Sequence, residues 1–332
     1  MLPSIAVLVV GLVVLVVGAD LAVDGARTIA RRLGVSELVI GLTLTSIGTS
    51  LPELATSAKA ALVSGGTGGS DAAGVAVGNL LGSNLFLLTA LLGMSAIART
   101  IRIDPGAIWR DGGALLGATV ATLAVMVGGT VSRVEGGLLM LGYASYLGVV
   151  AVQERRRIQD GAGTPEADAA AADPSGSARL LPWWLTSAAK VAGGLAGVIS
   201  GANLVVDHGV EIATIVGVPG TLVGIFVGVG TSLPELVVSV QAAIRGASDI
   251  SVGNIVGSGI TNLLLCLGAA AAAHDIAVPA TALAFDLPFL LVSTLIALAL
   301  MVERLDVTRA EGVVLCLLFA FYLYLRAAGV VA

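Results

Sequence analysis

The sequence predicts an all-α membrane protein of ten transmembrane helices, built as two inverted five-helix repeats. Three observations predict it. The 332-residue chain is 57% apolar and only 12% charged, with a mean hydropathy of +1.00. The heptapeptide Gly-Thr-Ser-Leu-Pro-Glu-Leu occurs twice, at 48–54 and at 230–236. Basic residues concentrate on one side of the membrane that the apolar stretches define.

A hydrocarbon core takes roughly 20 residues of helix. Ten stretches meet that length: 3–25, 36–63, 72–97, 108–128, 134–152, 183–206, 219–244, 250–272, 280–302 and 310–330. The first has no basic segment ahead of it and runs on towards a basic cluster, so it reads as a transmembrane helix rather than a signal peptide. The second and seventh carry the heptapeptide. The third and eighth carry Val77-Gly78-Asn79-Leu80-Leu81-Gly82-Ser83 and Val252-Gly253-Asn254-Ile255-Val256-Gly257-Ser258. Their glycines permit close helix packing, in keeping with 44 glycines and 4% aromatics in the whole chain. The other stretches are placed by length and apolarity. Between the fifth and sixth, 153–182 opens on Arg155-Arg156-Arg157 and continues through Gly, Pro, Ala, Asp and Ser without periodicity, as a flexible linker does. The domain expectation is a first repeat at 1–152, a cytoplasmic linker at 153–182 and a second repeat at 183–332.

With the N-terminus outside and ten crossings, the inner face receives fourteen of the 17 Lys and Arg; the outer face receives Lys59, Arg133 and Arg326. Positive charge resists translocation, so this orientation is preferred. The halves match further. Gly18-Ala19-Asp20-Leu21 before Val23-Asp24 answers Gly201-Ala202-Asn203-Leu204 before Val206-Asp207. Five helices is an odd number, so the second copy enters from the opposite side. That is the inverted-repeat plan of secondary transporters, which brings equivalent positions together near the midplane.

The chemistry sits where the sequence breaks membrane rules. Pro52 and Pro234 lack an amide hydrogen and free the carbonyls of Gly48 and Gly230. Freed carbonyls at membrane depth need protein, a polar cavity or a cation as partner. On a helix, Glu53 shares a stripe with Thr49, Ser50 and Ser46, and Glu235 with Thr231, Ser232 and Gly228. Asn79, Ser83 and Leu87 form a facing stripe, with Asn254, Ser258 and Asn262 as its counterpart. All ligands are oxygen, which suits hard cations such as Ca2+ and Na+. No Lys or Arg lies at matching depth to neutralise Glu53 or Glu235, and an intramembrane carboxylate costs about 2.5–3.5 kcal/mol on insertion scales. Asn79 and Asn254 read better as helix glue than as ligands.

Other polar residues have plainer readings. Glu37 follows Ser36 at a helix start. Asp20, Asp24, Asp207 and Glu211 read as solvated or capping groups near helix ends, and His208 and His274 as solvated end residues. Cys266 and Cys316 read as small core residues. No basic patch interleaves with aromatics, so nucleic acid is not a partner. No phosphate-binding loop is present, so ATP is not the energy source. Ser50 has no His or Lys in its motif, which argues against an intramembrane enzyme. No cofactor and no protein partner is implied; the expected partners are inorganic cations and the lipid bilayer.

The doubled Gly-Thr-Ser-Leu-Pro-Glu and the paired Gly-Asn-x-x-Gly-Ser resemble the two alpha repeats of the cation/calcium antiporter superfamily, in particular prokaryotic sodium/calcium exchangers. The resemblance covers most of the chain except the linker. It implies ten helices in the plasma (inner) membrane, with both termini outside and the linker in the cytosol. It implies Na+-driven Ca2+ export by alternating access, with Ca2+/H+ or another cation/H+ antiport as the alternative on the same scaffold; a cation channel is further off. It implies Glu53 and Glu235 as central cation carboxylates with the carbonyls of Thr49 and Thr231 beside them on Ca2+. It implies Na+ sites from Ser50, Ser83, Ser232 and Ser258 with the carbonyls of Ser46 and Gly228. The family pattern has an amide or acid at the positions of Leu87 and Asn262. Leu87 removes an oxygen and Asn262 is neutral, which leaves a site charge of −2, equal to one Ca2+ or two Na+.

Overall fold

The computed structural model describes residues 2–64, 69–160, 182–216 and 229–328. Within them the chain is almost wholly helical. Helix α1 covers Leu2–Leu33. Helix α2, Glu37–Thr49, and α3, Leu51–Ser64, are bent by 44° across Ser50. Helix α4, Gly69–Phe86, passes through a π-helical turn at Leu87–Leu91 into Leu92–Ala98. Strand β1 is Ile101–Arg102. A π turn at Ile108–Gly112 leads into α5, Gly113–Met126. Strand β2, Thr130–Val131, precedes α6, Arg133–Gln159.

The second half begins with α7, Trp183–Val216, followed by α8, Leu233–Ile244. Helix α9, Ser248–Ile260, passes through a π turn at Thr261–Cys266 into Leu267–Ala273. After β3, Ile276–Ala277, a π turn at Ala282–Asp286 opens α10, Leu287–Arg304. Strand β4, Asp306–Val307, leads to α11, Arg309–Ala327.

Seven of the described helices are long and apolar enough to cross a membrane, or eight if the bent pair α2 and α3 is one span. This is fewer than the ten expected. The stretch 108–128 spends its start on a π turn, so only 14 residues of regular helix remain in α5. The stretch 219–244 lies partly outside the described residues, and its remainder, α8, has 12 residues. The expected linker also changes. Helix α6 continues through Arg155-Arg156-Arg157 to Gln159, because its last turns are tied down. Glu154 accepts from the Ser36 amide at 2.6 Å and from Arg157 at 2.8 Å, and Arg157 donates to the Gly34 carbonyl. Residues 161–181 of the linker lie outside the described residues.

Layering follows from burial. The spans within α4 and α9 are 83% buried, against 28% for α1, so α4 and α9 form the centre and α1 faces outward. Leu80, Leu85, Leu87, Ile255, Ile260 and Leu263 belong to one continuous apolar core. A smaller cluster joins α1, α7 and α8 through Ala22, Val198 and Val238. Helices α1 and α7 run antiparallel and nearly touch. A Cβ on Gly18 would come within 2.7 Å of the Gly194 carbonyl, and one on Gly194 within 2.6 Å of the Ala22 amide. Only glycine allows that approach. Helix α9 meets α2 in the same way, where a Cβ on Gly253 would lie 2.6 Å from the Leu38 carbonyl.

The two halves are stitched together symmetrically. Strand β1 pairs antiparallel with β4 (Ile101 opposite Val307), and β2 with β3 (Val131 opposite Ile276). Exchanging the halves turns one pair into the other. Two capping boxes obey the same exchange: Ser132 with Glu135 at the start of α6, and Thr308 with Glu311 at the start of α11.

Candidate cation site

Each heptapeptide breaks its helix just before the proline. Helix α2 stops at Thr49, and Ser50 takes φ −82°, ψ 6°. Ser232 takes φ −95°, ψ 8° ahead of α8. Pro52 and Pro234 then sit in a first turn, where the missing amide hydrogen costs no helical bond. Glu53 and Glu235 consequently occupy the first turns of α3 and α8, at the positive ends of the helix dipoles. Both are fully buried.

The break changes which groups meet. Hydroxyl and carboxylate of one motif were expected along one stripe. Instead they cross between repeats. Ser50 donates to Glu235 Oε1 at 3.0 Å, and Ser232 donates to Glu53 Oε1 at 3.1 Å. The threonines approach the other repeat as well: Thr49 Oγ1 lies 3.3 Å from Asn254 Oδ1, sharing its proton with the Thr45 carbonyl at 3.0 Å, and Thr231 donates to Asn79 Oδ1 at 3.3 Å. Each asparagine returns to its own repeat, Asn254 Nδ2 to Ser239 at 2.9 Å and Asn79 Nδ2 to Ser57 at 3.4 Å. Asn79 and Asn254 therefore pin the two motifs together, as the glue reading expects. With their hydroxyl protons directed away to these acceptors, Thr49 and Thr231 can offer main-chain carbonyls and hydroxyl lone pairs to a cation.

The remaining predicted residues gather at the same place, with one exception. Ser83 lies 2.7 Å from Ser232 and 3.5 Å from Glu53 Oε1. Asn262 donates Nδ2 to Ser83 Oγ at 3.3 Å, and its Oδ1 accepts from the Cys266 thiol at 3.6 Å. Ser46, on the turn after the Gly41–Thr45 π segment, bonds back to the Leu42 carbonyl at 2.6 Å. Ser258 is fully buried in α9. Leu87 is fully buried in the core. The exception is Gly228, which lies outside the described residues.

Three site oxygens have no partner among the described residues: Glu53 Oε2, Glu235 Oε2 and Ser258 Oγ. Neither glutamate makes an ion pair there; hydroxyls are the only side chains bonded to them. An orphaned buried polar atom costs about 1–3 kcal/mol, and more when charged. The arrangement can therefore accept positive charge, and its donor set of carboxylate, hydroxyl and carbonyl oxygens fits a hard cation. No described cluster of three or more His, Cys, Asp or Glu could hold a metal ion. The site depends on neutral oxygens around two carboxylates.

Ser57 and Ser239 were missed by sequence reasoning. Each stands four residues after its glutamate, one turn along the same helix, and that repeated spacing was the available signal. Among the acids read as solvated or capping, Asp24, Asp207 and Glu211 are solvent-accessible, and Asp20 is the one that needs correction. Asp20 lies inside α1, where Gln241 donates to it at 2.7 Å and Arg245 pairs with it. Asp24 pairs with Lys190 at 2.7 Å. Glu211 accepts from Ser4 at 2.9 Å and meets His208 at 2.9 Å. The contacts of Asp20, Asp24 and Ser4 exist because α1, α7 and α8 pack side by side, whereas His208 and Glu211 lie one turn apart on α7. Asp207, with Asn203, Pro52, Thr231 and Pro234, lines a cavity of about 390 Å3 beside both motifs.

Comparison with known proteins adds to this geometry. The family model described as Sodium/calcium exchanger protein matches residues 3–152 and 186–328. The chain is 32% identical over 344 residues to the sodium/calcium exchanger MaX1 of Methanosarcina acetivorans, covering 96% of each. It is 30% identical over 272 residues to the inner membrane protein YrbG of Escherichia coli, covering 81% of this chain and 79% of that one. Among solved structures, the sodium-calcium exchanger NCX_Mj soaked with Na+ and Ca2+ matches with a TM-score of 0.80 and 27% identity, over 97% of this chain and 98% of that one.

Proposed function

The chain belongs to the sodium/calcium exchanger protein family, membrane antiporters and not enzymes, and on that premise we propose that it exports Ca2+ in exchange for Na+ by alternating access. Glu53 and Glu235 carry the central cation. The carbonyls of Thr49 and Thr231 complete its shell, and Ser50, Ser232, Ser83, Ser258 and Asn262, with the carbonyls of Ser46 and Gly228, line the flanking positions. Ten helices in two inverted repeats, 1–152 and 183–332, would enclose this site. The linker and the arginine-rich helix ends then face the cytoplasm, and both termini face outward across the plasma membrane.

The observation that carries the proposal is the pair of buried glutamates, one from each repeat, each held by the other repeat's serine and each with one oxygen that has no partner among the described residues. An empty site with two ionised carboxylates is costly at membrane depth. Crossing between the two access states is therefore favoured only with cations aboard, and that condition makes exchange obligatory. The test is Na+-gradient-driven uptake of radiolabelled Ca2+ into proteoliposomes. Glu53→Gln and Glu235→Gln should each lower the rate about 100-fold or more, the scale of losing an interaction worth about 3 kcal/mol. Variants that transport like the parent would overturn the site assignment. Uptake that follows an imposed pH gradient at fixed Na+ would transfer the proposal to H+ as the driving ion.

A further inference from the structure

The two halves of the site are unequal, and one pair of positions accounts for it. Ser83 answers Ser258, and Leu87 answers Asn262. Asn262 reaches across the repeat boundary and donates to Ser83. Exchanging the halves would have residue 87 donate to Ser258. Leucine has nothing to donate, and among the described residues Ser258 Oγ is the serine oxygen at the site left without a partner. The same substitution removes a ligand. Leu87 offers no oxygen, while the Asn262 amide turns a nitrogen towards Ser83 and engages its oxygen with Cys266.

Glu53 and Glu235 are the carboxylates at the site, and the other buried acids are held elsewhere. Asp111 is bonded by Arg110 and Tyr146, Asp286 by Arg326 and Tyr322, and Glu154 by Arg157. The favoured occluded load is the one that leaves the least uncompensated charge at the site, because burying a surplus unit charge is costly. One divalent cation cancels −2, and so do two monovalent cations. A third monovalent ion would carry a surplus charge into the membrane and would find no oxygen at Leu87.

Resting on the antiport reading above, we infer that the neutral Asn262 fixes this exchanger at two monovalent cations for one divalent cation, an electroneutral cycle, while Leu87 leaves the site one oxygen short without setting its charge. The free Ser258 oxygen is part of the seat for one of the two monovalent ions. The other side, closed by the bond between Asn262 and Ser83, relies on Glu53 and Ser232.

The experiment is a null-point measurement on the purified full-length protein in proteoliposomes, with potential clamped by K+ and valinomycin. At the null point, a tenfold Na+ gradient should balance about a 100-fold Ca2+ gradient, and clamping at different potentials should not move it. If each cycle moved one net charge, 100 mV would shift the balance by roughly 40-fold. Such a shift in the parent overturns the inference while leaving antiport intact. Absence of any counter-ion-driven Ca2+ movement overturns the antiport reading beneath it. If H+ is the counter-ion, a unit of pH should balance the same 100-fold ratio. Asn262→Asp adds a third carboxylate and should make the null point follow the potential. Leu87→Asn adds an oxygen without charge and should leave it independent of potential. A null point that stays independent of potential in Asn262→Asp removes the role assigned to Asn262, and one that follows the potential in Leu87→Asn overturns the charge argument, because a missing oxygen would then set the ratio.

Discussion

The two repeats give the site the same glutamate and the same serine, yet they hold the rest of the molecule differently. In the first, Asp111 receives both arms of its sequence neighbour Arg110, at 2.7 and 2.8 Å, plus Tyr146 at 3.1 Å. In the second, Asp286 sits at the matching position with the matching Tyr322 at 3.0 Å, but its arginine is Arg326, far along α11, with one contact at 3.0 Å. The tyrosines are also equivalent, each fourteen residues after the cap that starts its helix. The backbone plan, the buried acid and the tyrosine are therefore duplicated, while the cation that neutralises the acid comes from a different element. Duplication fixes where charge must be buried. It leaves each half to find its own way of cancelling it.

That comparison can be broken most forcefully at the acids. Removing one partner of a buried ion pair costs about 3–5 kcal/mol. Asp111→Asn should approach the lower end, about 3 kcal/mol, since its arginine is only 16% exposed and grips both oxygens. Asp286→Asn should cost less, about 2 kcal/mol, because Arg326 is 34% exposed and water screens the single contact. Unfolding in mixed micelles compares the two. Equal losses would mean that the arginine's origin does not matter.

The next effect concerns the seam between α1 and α7. Gly194→Ala forces a methyl group against the Ala22 amide and the Gly18 carbonyl, both 2.6 Å from its Cβ, and overpacking of this kind costs about 1–3 kcal/mol. Gly193→Ala, one residue away, meets nothing within 4 Å and should leave the melting temperature unchanged or raise it, since alanine is the better helix former. A smaller effect sharpens the duplication itself. Ser132→Ala and Thr308→Ala each remove a helix cap of the same geometry, so each should cost about 1 kcal/mol, and by the same amount. A marked difference between the two would show that α6 and α11 are not held equivalently.

Much of the site could be read from residues because duplication is itself a signal. An identical seven-residue word in two apolar stretches picks out Glu53 and Glu235, and the repeated Gly-Asn-x-x-Gly-Ser picks out Ser83 and Ser258. The cross-bonding could not be read that way. It depends on the helix break at Ser50 and Ser232, which rotates each hydroxyl off its own carboxylate's face and towards the other repeat. The π turns at Leu87–Leu91 and Thr261–Cys266 were equally hidden, since neither contains a proline or glycine to announce it. Asp20 was misread because its partners Gln241 and Arg245 lie 221 and 225 positions away, and only the packed helices bring them near.

Asp20 also supplies the finest test of unequal halves. Its matching position in the second repeat is Asn203. Because α1 and α7 run antiparallel, the two fall on opposite sides of the glycine crossing. Asp20 is bonded to α8 of the other repeat, whereas Asn203 lines the open cavity with Asp207. One end of the helix pair is thus pinned to the core while the other end leaves a passage towards the motifs. If the pins hold this arrangement, Asp20→Asn should release them and populate the opposite arrangement, in which the cavity is closed. The pair is partly exposed, 33% for Arg245 and 37% for Asp20, so the bias is under about 1 kcal/mol and the population shift at most roughly fivefold. A single cysteine placed at Val206, on the cavity wall, reports the change, with Val206→Cys alone as the reference. Its labelling by a water-soluble maleimide should slow two- to fivefold when Asp20→Asn is added. Asn203→Ala, which touches no pin and adds no charge beside the thiol, should leave the rate unchanged. Equal labelling in all three proteins would mean that the ion pair decorates the helix and does not set which end is open.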